Sequence, residues 1–296
     1  MMLKKEIIKI YNNNDNSNNE ENNTFLIDNE QIIVDMVKLK KVFSQSKKLM
    51  LEIVSCDTSE KIITLEINPY GYINSKRKKK DGITYFGYDV GQSELQVDFA
   101  LKNNDNYYYD DAFNGRHFMI KFNPDDLNYY IKDLGRGLGT FVKIQEWTEL
   151  KNNFLLNIGE NYIVFFLGEE DDEEEDEKIK DIDNNKEENS LNIKIFSVNT
   201  QHKIYKLLPS NCPVTIGRSS ENYIFIDDDM LSRIHCTIDF NNEKWYIQDG
   251  FAKNGFKDKE IKKSTNGSWI YAYDEIPIVN KTIFKANHNL FLCDLV

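Results

Sequence analysis

Short segments in which apolar and polar residues alternate recur through residues 47–168. Turn-forming pairs such as Asn68-Pro69 and Asp81-Gly82 separate them. The segments that fit a strand are 49–54, 61–67, 119–122, 128–132, 139–144 and 162–167. Many short strands at this spacing predict an all-β sandwich or barrel.

A second series of such segments fills residues 191–296. Its predicted strands are 191–196, 203–208, 214–216, 223–226, 235–240, 244–248, 268–271 and 289–293. The two series are separated by residues 169–190, which begin with nine consecutive acidic residues. Like charges at this density repel one another and stay solvated, so this segment is predicted to be a linker. The expected division is therefore a sandwich at 47–168, an acidic linker at 169–190 and a second sandwich at 191–296.

The N-terminal residues 1–46 are predicted to form a tail and an arm. Residues 12–23 contain eight asparagines, a tract with nothing to bury and predicted to be disordered. Residues 29–46 fit a short helix with apolar residues on one side, and they fit an extended arm equally well, because β-branched residues dominate the first half.

Charge and composition exclude several classes of protein. The formal net charge of the 296 residues is −12, but without the nine-acid run the rest of the chain carries only −3. A general nucleic-acid binder needs a positive footprint, so that class is not expected. No apolar stretch is long enough to cross a membrane, and charges interrupt the only apolar patch at the N-terminus, so neither a membrane span nor a signal peptide is expected.

The four cysteines, Cys56, Cys212, Cys236 and Cys293, are far apart and form no Cys-x-x-Cys pair. This pattern is typical of buried free thiols in a reducing compartment rather than a disulfide set or a zinc site. We therefore expect an intracellular protein, nuclear or cytoplasmic, with no metal and no cofactor.

Three polar motifs follow one another in the second half, each at a strand edge or in a loop: 217–219 (Gly-Arg-Ser), 232–235 (Ser-Arg-Ile-His) and 264–267 (Ser-Thr-Asn-Gly). An arginine is a permanent cation whose planar fork fits phosphate oxygens. A serine hydroxyl adds a donor, and an asparagine amide holds a peptide backbone by donating and accepting together. These residue types together favour a site for a phosphorylated peptide.

The order of these motifs resembles the forkhead-associated (FHA) domain, an 11-strand sandwich that binds phosphothreonine. The resemblance covers roughly residues 193–296. It implies that Arg218 and Ser232 grip the phosphate and that Arg233 assists from the same loop. It also implies that Thr265 and Asn266 hold the peptide main chain.

The remaining residues of the motifs have supporting roles in this reading. Ser219 is counted with the phosphopeptide-binding residues. Gly217 and Gly267 allow the tight turns that place these groups. His235 is expected to be structural and to tie its loop to the sandwich by a hydrogen bond. No nucleophile elbow accompanies the serine and histidine, so a hydrolase is not expected.

The segment 250–263, just before the third motif, carries five lysines against two acids. It is either an ordinary solvated loop or a basic flap beside the phosphate site that favours acidic or multiply phosphorylated targets. The run 76–80 in the first half is likewise either a solvated loop or a contact for an acidic partner or nuclear signal.

The first half resembles the same fold with its chemistry missing. Tyr88 stands where the phosphate-gripping arginine is expected, Gly115 replaces the loop serine, and Leu138 replaces the asparagine, while Arg116 and His117 remain. The first sandwich is therefore interpreted as a degenerate FHA domain of about 11 strands that serves as a scaffold or protein contact.

Together these features predict a non-catalytic tandem-FHA adaptor that binds a phosphothreonine-containing protein through its second domain. The alternative is a structural docking component of a stable cytoskeletal or ciliary assembly, with contacts that do not depend on phosphate. Removal of phosphate from a partner separates the two hypotheses.

Overall fold

The structure is a computed structural model that describes residues 36–55, 62–88, 96–101, 115–168, 189–197 and 202–296. The asparagine-rich tract, Cys56 and the acidic run at 169–177 lie outside the described residues. Helix α1 (Met36–Val42) is followed by a 3₁₀ turn, Phe43–Gln45. Residues 36–42 of the segment that fits either a helix or an arm are therefore helical, and residues 29–35 lie outside the described residues.

All other long elements in the described ranges are strands, which confirms the all-β prediction. In chain order they are β1 (Leu49–Ser55), β2 (Ile63–Asn68), β3 (Gly71–Tyr72), β4 (Ile83–Tyr88), β5 (Phe99–Ala100), β6 (Gly115–Asn123), β7 (Asn128–Asp133), β8 (Thr140–Lys143), β9 (Thr148–Glu149), β10 (Phe154–Ile158), β11 (Asn161–Leu167), β12 (Leu191–Phe196), β13 (Lys203–Leu207), β14 (Val214–Gly217), β15 (Ile224–Phe225), β16 (Cys236–Asn241), β17 (Lys244–Asp249), β18 (Trp269–Tyr271), β19 (Ile276–Ile278), β20 (Ile283–Ala286) and β21 (Asn289–Leu295). The part of the chain that the structure describes also has 3₁₀ turns at Pro209–Asn211 and Gly255–Lys257.

The described chain divides into two compact units. Among the described residues, unit C consists of those within 143–270, and unit N consists of those within 36–142 together with 271–296. Each unit has two sheets around one hydrophobic core, which is the layered arrangement of a β-sandwich.

In unit N, one sheet has the strand order β8-β20-β21-β1-β2-β3 and the other has the order β19-β7-β6-β4-β5. Strands β1 and β21 are antiparallel along their whole length, from Leu49 opposite Leu295 to Ser55 opposite Asn289. The core between the sheets is rich in aromatic rings, among them Phe118 and Phe284, whose centroids are 5.5 Å apart.

In unit C, the sheets have the orders β13-β12-β11-β10-β18 and β15-β14-β16-β17-β9. Strand β12 is antiparallel to β11, from Tyr162 opposite Phe196 to Leu167 opposite Leu191. The core of this unit is mainly aliphatic and contains one tryptophan, Trp245, whose Nε1 donates to the Asn189 carbonyl at 3.0 Å.

This division of the chain differs from the contiguous sandwiches expected at 47–168 and 191–296. Strands β9, β10 and β11 precede the acidic segment but belong to unit C, and β19, β20 and β21 lie at the C-terminal end but belong to unit N. The two halves of the sequence have therefore exchanged their closing strands. Alternation along a strand determines which face is buried, but it leaves the partner strand undetermined when two strands have similar patterns.

The basic run at 76–80 is also corrected in part. The Arg77 side chain is buried and forms ion pairs with Asp81 at 2.9 Å and with Asp98 at 3.1 Å. Arg77 is therefore a core ion-pair residue of unit N, whereas the four lysines around it are exposed. No helix in the part of the chain that the structure describes is long and apolar enough to cross a membrane.

Candidate functional site

The three motifs singled out in the second half meet at one edge of unit C. The backbone of the first motif runs beside that of the second, since the Arg218 amide donates to the Ser232 carbonyl and the Ser219 amide donates to the Arg233 carbonyl, both at 3.1 Å. Gly217 makes this approach feasible, because a Cβ there would lie 2.4 Å from the Arg233 carbonyl oxygen. The two arginines thus stand on neighbouring backbone segments that hydrogen bonds hold together.

The third motif joins the second through the Ser232 hydroxyl. Its oxygen accepts from the Thr265 amide at 3.0 Å and lies 3.4 Å from the Thr265 hydroxyl. The Asn266 amide group donates to the Met230 carbonyl at 2.7 Å, which fixes the Asn266 side chain against the loop that carries the second motif. The three loops therefore form one connected polar edge.

His235 lies beneath this edge and is fully buried. Its Nδ1 accepts from the Ser232 amide at 3.1 Å, so Nε2 carries the hydrogen and donates to the Gly267 carbonyl, also 3.1 Å away. Burial is the largest influence on this ring and lowers its pKa, which keeps the imidazole neutral. This position fits the structural role expected for His235, because the ring links the second loop to the third.

Two supporting residues were not identified from the sequence. The buried Asp249 carboxylate accepts from the Ser264 hydroxyl at 2.6 Å and from the Ser268 hydroxyl at 2.9 Å, which holds the base of the third loop. The buried Asn222 amide group donates to the Ser219 and Arg233 carbonyls at 2.8 and 2.6 Å. Asn222 follows the first motif by three residues and Asp249 precedes the third by 15, and short polar residues of these types are common in turns and loops.

The groups at the surface of this edge are the ones that a phosphorylated peptide requires. The Arg218, Arg233, Thr265 and Asn266 residues are exposed and Ser219 and Ser232 are half-buried, whereas Gly217, His235 and Gly267 are buried. Cations, a hydroxyl and an amide therefore face solvent on a base of buried polar groups. Such an edge can bind an anion and hold an extended backbone beside it.

The lysine-rich segment before the third motif is ordered. Its Phe251 forms a bridge to Lys262, and the Phe256 ring stacks on Trp147 with centroids 4.2 Å apart. The Phe256 amide also donates to the Asp239 carboxylate at 3.0 Å. The segment is therefore a fixed loop with exposed lysines rather than a free solvated one.

Unit N is also a two-sheet sandwich, but it lacks the side chains that form the polar edge of unit C. The buried Tyr88 packs edge-on against His117 at 4.7 Å, and the Leu138 amide donates to the Asn287 side-chain oxygen at 2.8 Å. The guanidinium of Arg116 lies 3.7 Å from the centre of the Tyr85 ring. The positions that match Arg218, Ser232 and Asn266 thus hold a buried ring, a glycine and a half-buried leucine.

No group of three or more histidine, cysteine or acidic side chains in the described ranges is arranged to hold a metal ion. The three cysteines of these ranges are free; Cys236 and Cys293 are buried, and Cys212 is half-buried.

Comparison with known protein families finds one match, to the FHA domain, at two regions: residues 88–159 and 214–287. The second region contains all three motifs, and the first contains Tyr88, Gly115 and Leu138. A search of curated proteins finds no match.

Proposed function

The chain belongs to the FHA domain family, with two FHA regions in tandem, and from this premise we propose that it is a phosphothreonine-dependent adaptor that binds its partner through unit C. FHA domains are generally phosphothreonine-binding modules for protein interaction, and they are not catalytic. In this proposal, Arg218 and Ser232 contact the phosphate, with Arg233 and Ser219 beside them. Thr265 and Asn266 hold the peptide backbone, and no cofactor takes part.

The single observation that carries the proposal is the meeting of the three motifs on one exposed edge. Residues up to 48 positions apart in sequence, Arg218 and Asn266, are brought together by hydrogen bonds through Ser232, Thr265 and Met230. A dianionic phosphate is the ligand that suits two such cations and a hydroxyl.

Unit N is proposed to lack phosphopeptide binding at the equivalent place. Without an arginine at position 88 that place has lost its main counter-charge, and the buried Tyr88 ring occupies it. The role proposed for this unit is that of a scaffold or of a protein contact that does not depend on phosphate. A nuclear or cytoplasmic location is part of this proposal, and the expected phosphothreonine partners and the free cysteines of the described ranges support it.

The test uses the full chain and a peptide pool fixed only at a central phosphothreonine, with fluorescence anisotropy as the measurement. Charge-assisted hydrogen bonds contribute about 1.5–3 kcal/mol each. Arg218→Ala should therefore weaken binding on the order of tenfold to a hundredfold. The control is Arg116→Ala, which removes an arginine from unit N at the position that matches Arg233, and its binding should equal that of the parent.

Two outcomes would contradict the proposal. Equal binding of the phosphorylated and unphosphorylated pools would favour the alternative function, a docking component whose contacts do not depend on phosphate. Unchanged binding by Arg218→Ala would mean that phosphopeptides bind elsewhere on the chain.

A further inference from the structure

A lysine from the first half of the sequence lies against the third motif of unit C. The Lys143 Cε is 2.6 Å, and its Nζ 3.4 Å, from the point that a Cβ on Gly267 would occupy. The same Nζ lies 5.8 Å from the centre of the Trp269 ring, whose Nε1 donates to the Asn266 carbonyl at 3.0 Å. The Lys143 ammonium is therefore held beside the residue proposed to grip the peptide backbone.

A second lysine flanks the same motif on its N-terminal side. Lys263 directly precedes Ser264 in the sequence, and its ammonium group donates to the Gln145 carbonyl at 2.6 Å. Burial is the main cause that lowers the pKa of Lys263, Asp249 and Glu146 oppose this effect, and the positive charge of Lys143 adds to it. The two ammonium groups are thus within range of each other's charge, an arrangement that a bound anion stabilises.

The side chain of Asn266 contacts a segment of the reverse charge. Its amide group donates to the Met230 carbonyl, and the two residues Asp227 and Asp229, just before Met230, are exposed. A peptide held by Asn266 is therefore close to lysines on one neighbouring segment and to aspartates on another. An acidic residue is stabilised on one flank of the peptide and repelled on the other.

We propose that Lys143 and Lys263 form a second anion subsite beside Asn266 that selects phosphothreonine peptides with an acidic or phosphorylated residue on one flank only. This inference rests on the proposed phosphothreonine function of unit C. Lys143 belongs to the first FHA region, 88–159, and Lys263 belongs to the second, 214–287, so the proposed subsite combines residues from both FHA regions.

The test is a scan of phosphothreonine peptides in which glutamate or glutamine is placed at each of the positions around the phosphothreonine. Ion pairs at exposed sites are weak, so glutamate should improve affinity for the full chain about two- to fivefold on one flank. On the other flank glutamate should weaken binding. A phosphoserine at the favoured position should exceed glutamate, because it carries more charge.

The variants Lys143→Gln and Lys263→Gln should each reduce the glutamate-over-glutamine preference, and the double variant should abolish it while glutamine peptides bind as before. Lys143→Arg should keep the preference, since it retains the charge. The control is Lys151→Gln. Lys151 is exposed and follows Leu150, whose amide donates to the Trp245 carbonyl near the start of β17, whereas Asp249 lies at the other end of that strand.

The outcomes separate this inference from the proposed function. If no phosphothreonine peptide binds the parent chain, the proposed function itself fails. If such peptides bind but glutamate and glutamine are equal at every position, or if the preference persists in the double variant, the second anion subsite is overturned.

Discussion

Cutting the chain within its acidic segment should leave the two halves bound to each other. Each unit of the structure contains strands from both sides of that segment: unit C takes β9–β11 from before it, and unit N takes β19–β21 from after it. A protease site inserted between residues 177 and 178 provides the cut. In the contiguous arrangement expected from the sequence, the same cut would release two independent sandwiches.

The strength of the association follows from the cores. Six buried residues of unit C's core come from before the cut: Ile144, Leu150, Leu156, Ile158, Ile163 and Phe165. Full burial of one such side chain contributes about 1.5–3 kcal/mol, so the six contribute roughly 9–18 kcal/mol. A whole domain is stable by only about 5–15 kcal/mol, so unit C cannot persist without these strands.

The assay is size-exclusion chromatography with light scattering on the cut protein, before and after transfer into urea. Co-elution of the two pieces at the mass of the intact chain in buffer, and their separation in urea, is the expected result. Separate elution of two folded pieces in buffer would refute the exchange of strands and restore contiguous domains.

A pair of cysteine variants tests the same point inside the intact chain. Val54 and Leu290 face each other in β1 and β21 and are both exposed. Val54→Cys with Leu290→Cys, in a Cys56→Ser background, should therefore form a disulfide readily. Val54→Cys with Tyr162→Cys is the control, because Tyr162 has the matching register position in β11, and it should stay reduced.

Three further predictions concern single residues. Burial lowers the pKa of Lys285 to about 8. The charged form of this side chain therefore destabilises the folded state relative to the unfolded chain. Lys285→Met should therefore raise the free energy of unfolding at pH 7 by roughly 2–3 kcal/mol, and the gain should fade between pH 8 and 10.5; a urea titration that shows no gain would contradict it. Burial also lowers the pKa of His235 below its usual 6.5, so the unfolded chain binds a proton first as the pH falls. The parent should then lose stability below about pH 6.5 relative to His235→Gln, and parallel profiles for the two would exclude this cause. Gly217→Ala places a Cβ 2.4 Å from the Arg233 carbonyl and should weaken phosphopeptide binding at least tenfold, whereas Gly87→Ala, with its own clash in unit N, should lower stability and leave binding intact; equal loss of binding in both would mean that the effect is not local to the site.

Most strands and all three motifs could be predicted from the sequence. The segment 244–248, for example, is observed as β17 (Lys244–Asp249), because alternation with a buried face is a strong local signal. Two-residue strands such as β9 (Thr148–Glu149) were missed, since two paired residues are too few to show a periodic pattern.

The features that escaped prediction depend on distant partners. In the sequence Arg77 is one member of a basic run, and its ion pair with Asp98 forms only in the folded chain. Asp249 reads as a strand end, and its two serine partners lie 15 and 19 residues away. The exchange of closing strands is of the same kind, because β11 and β21 are both apolar strands that can cover either sandwich.

The exchange gives the first half of the sequence a part in the proposed site although its own pocket has lost the necessary residues. Asp228, in the loop that carries Met230, accepts from the Asn161 side chain at 2.7 Å and from the Glu160 amide at 3.0 Å. Asp228 also accepts from the Met230 amide at 2.7 Å, so the carbonyl that positions Asn266 rests on residues from before the acidic segment. In the proposed function, the first half of the sequence therefore supports phosphopeptide binding without touching phosphate, because it supplies strands and hydrogen bonds on which the loops of unit C are built.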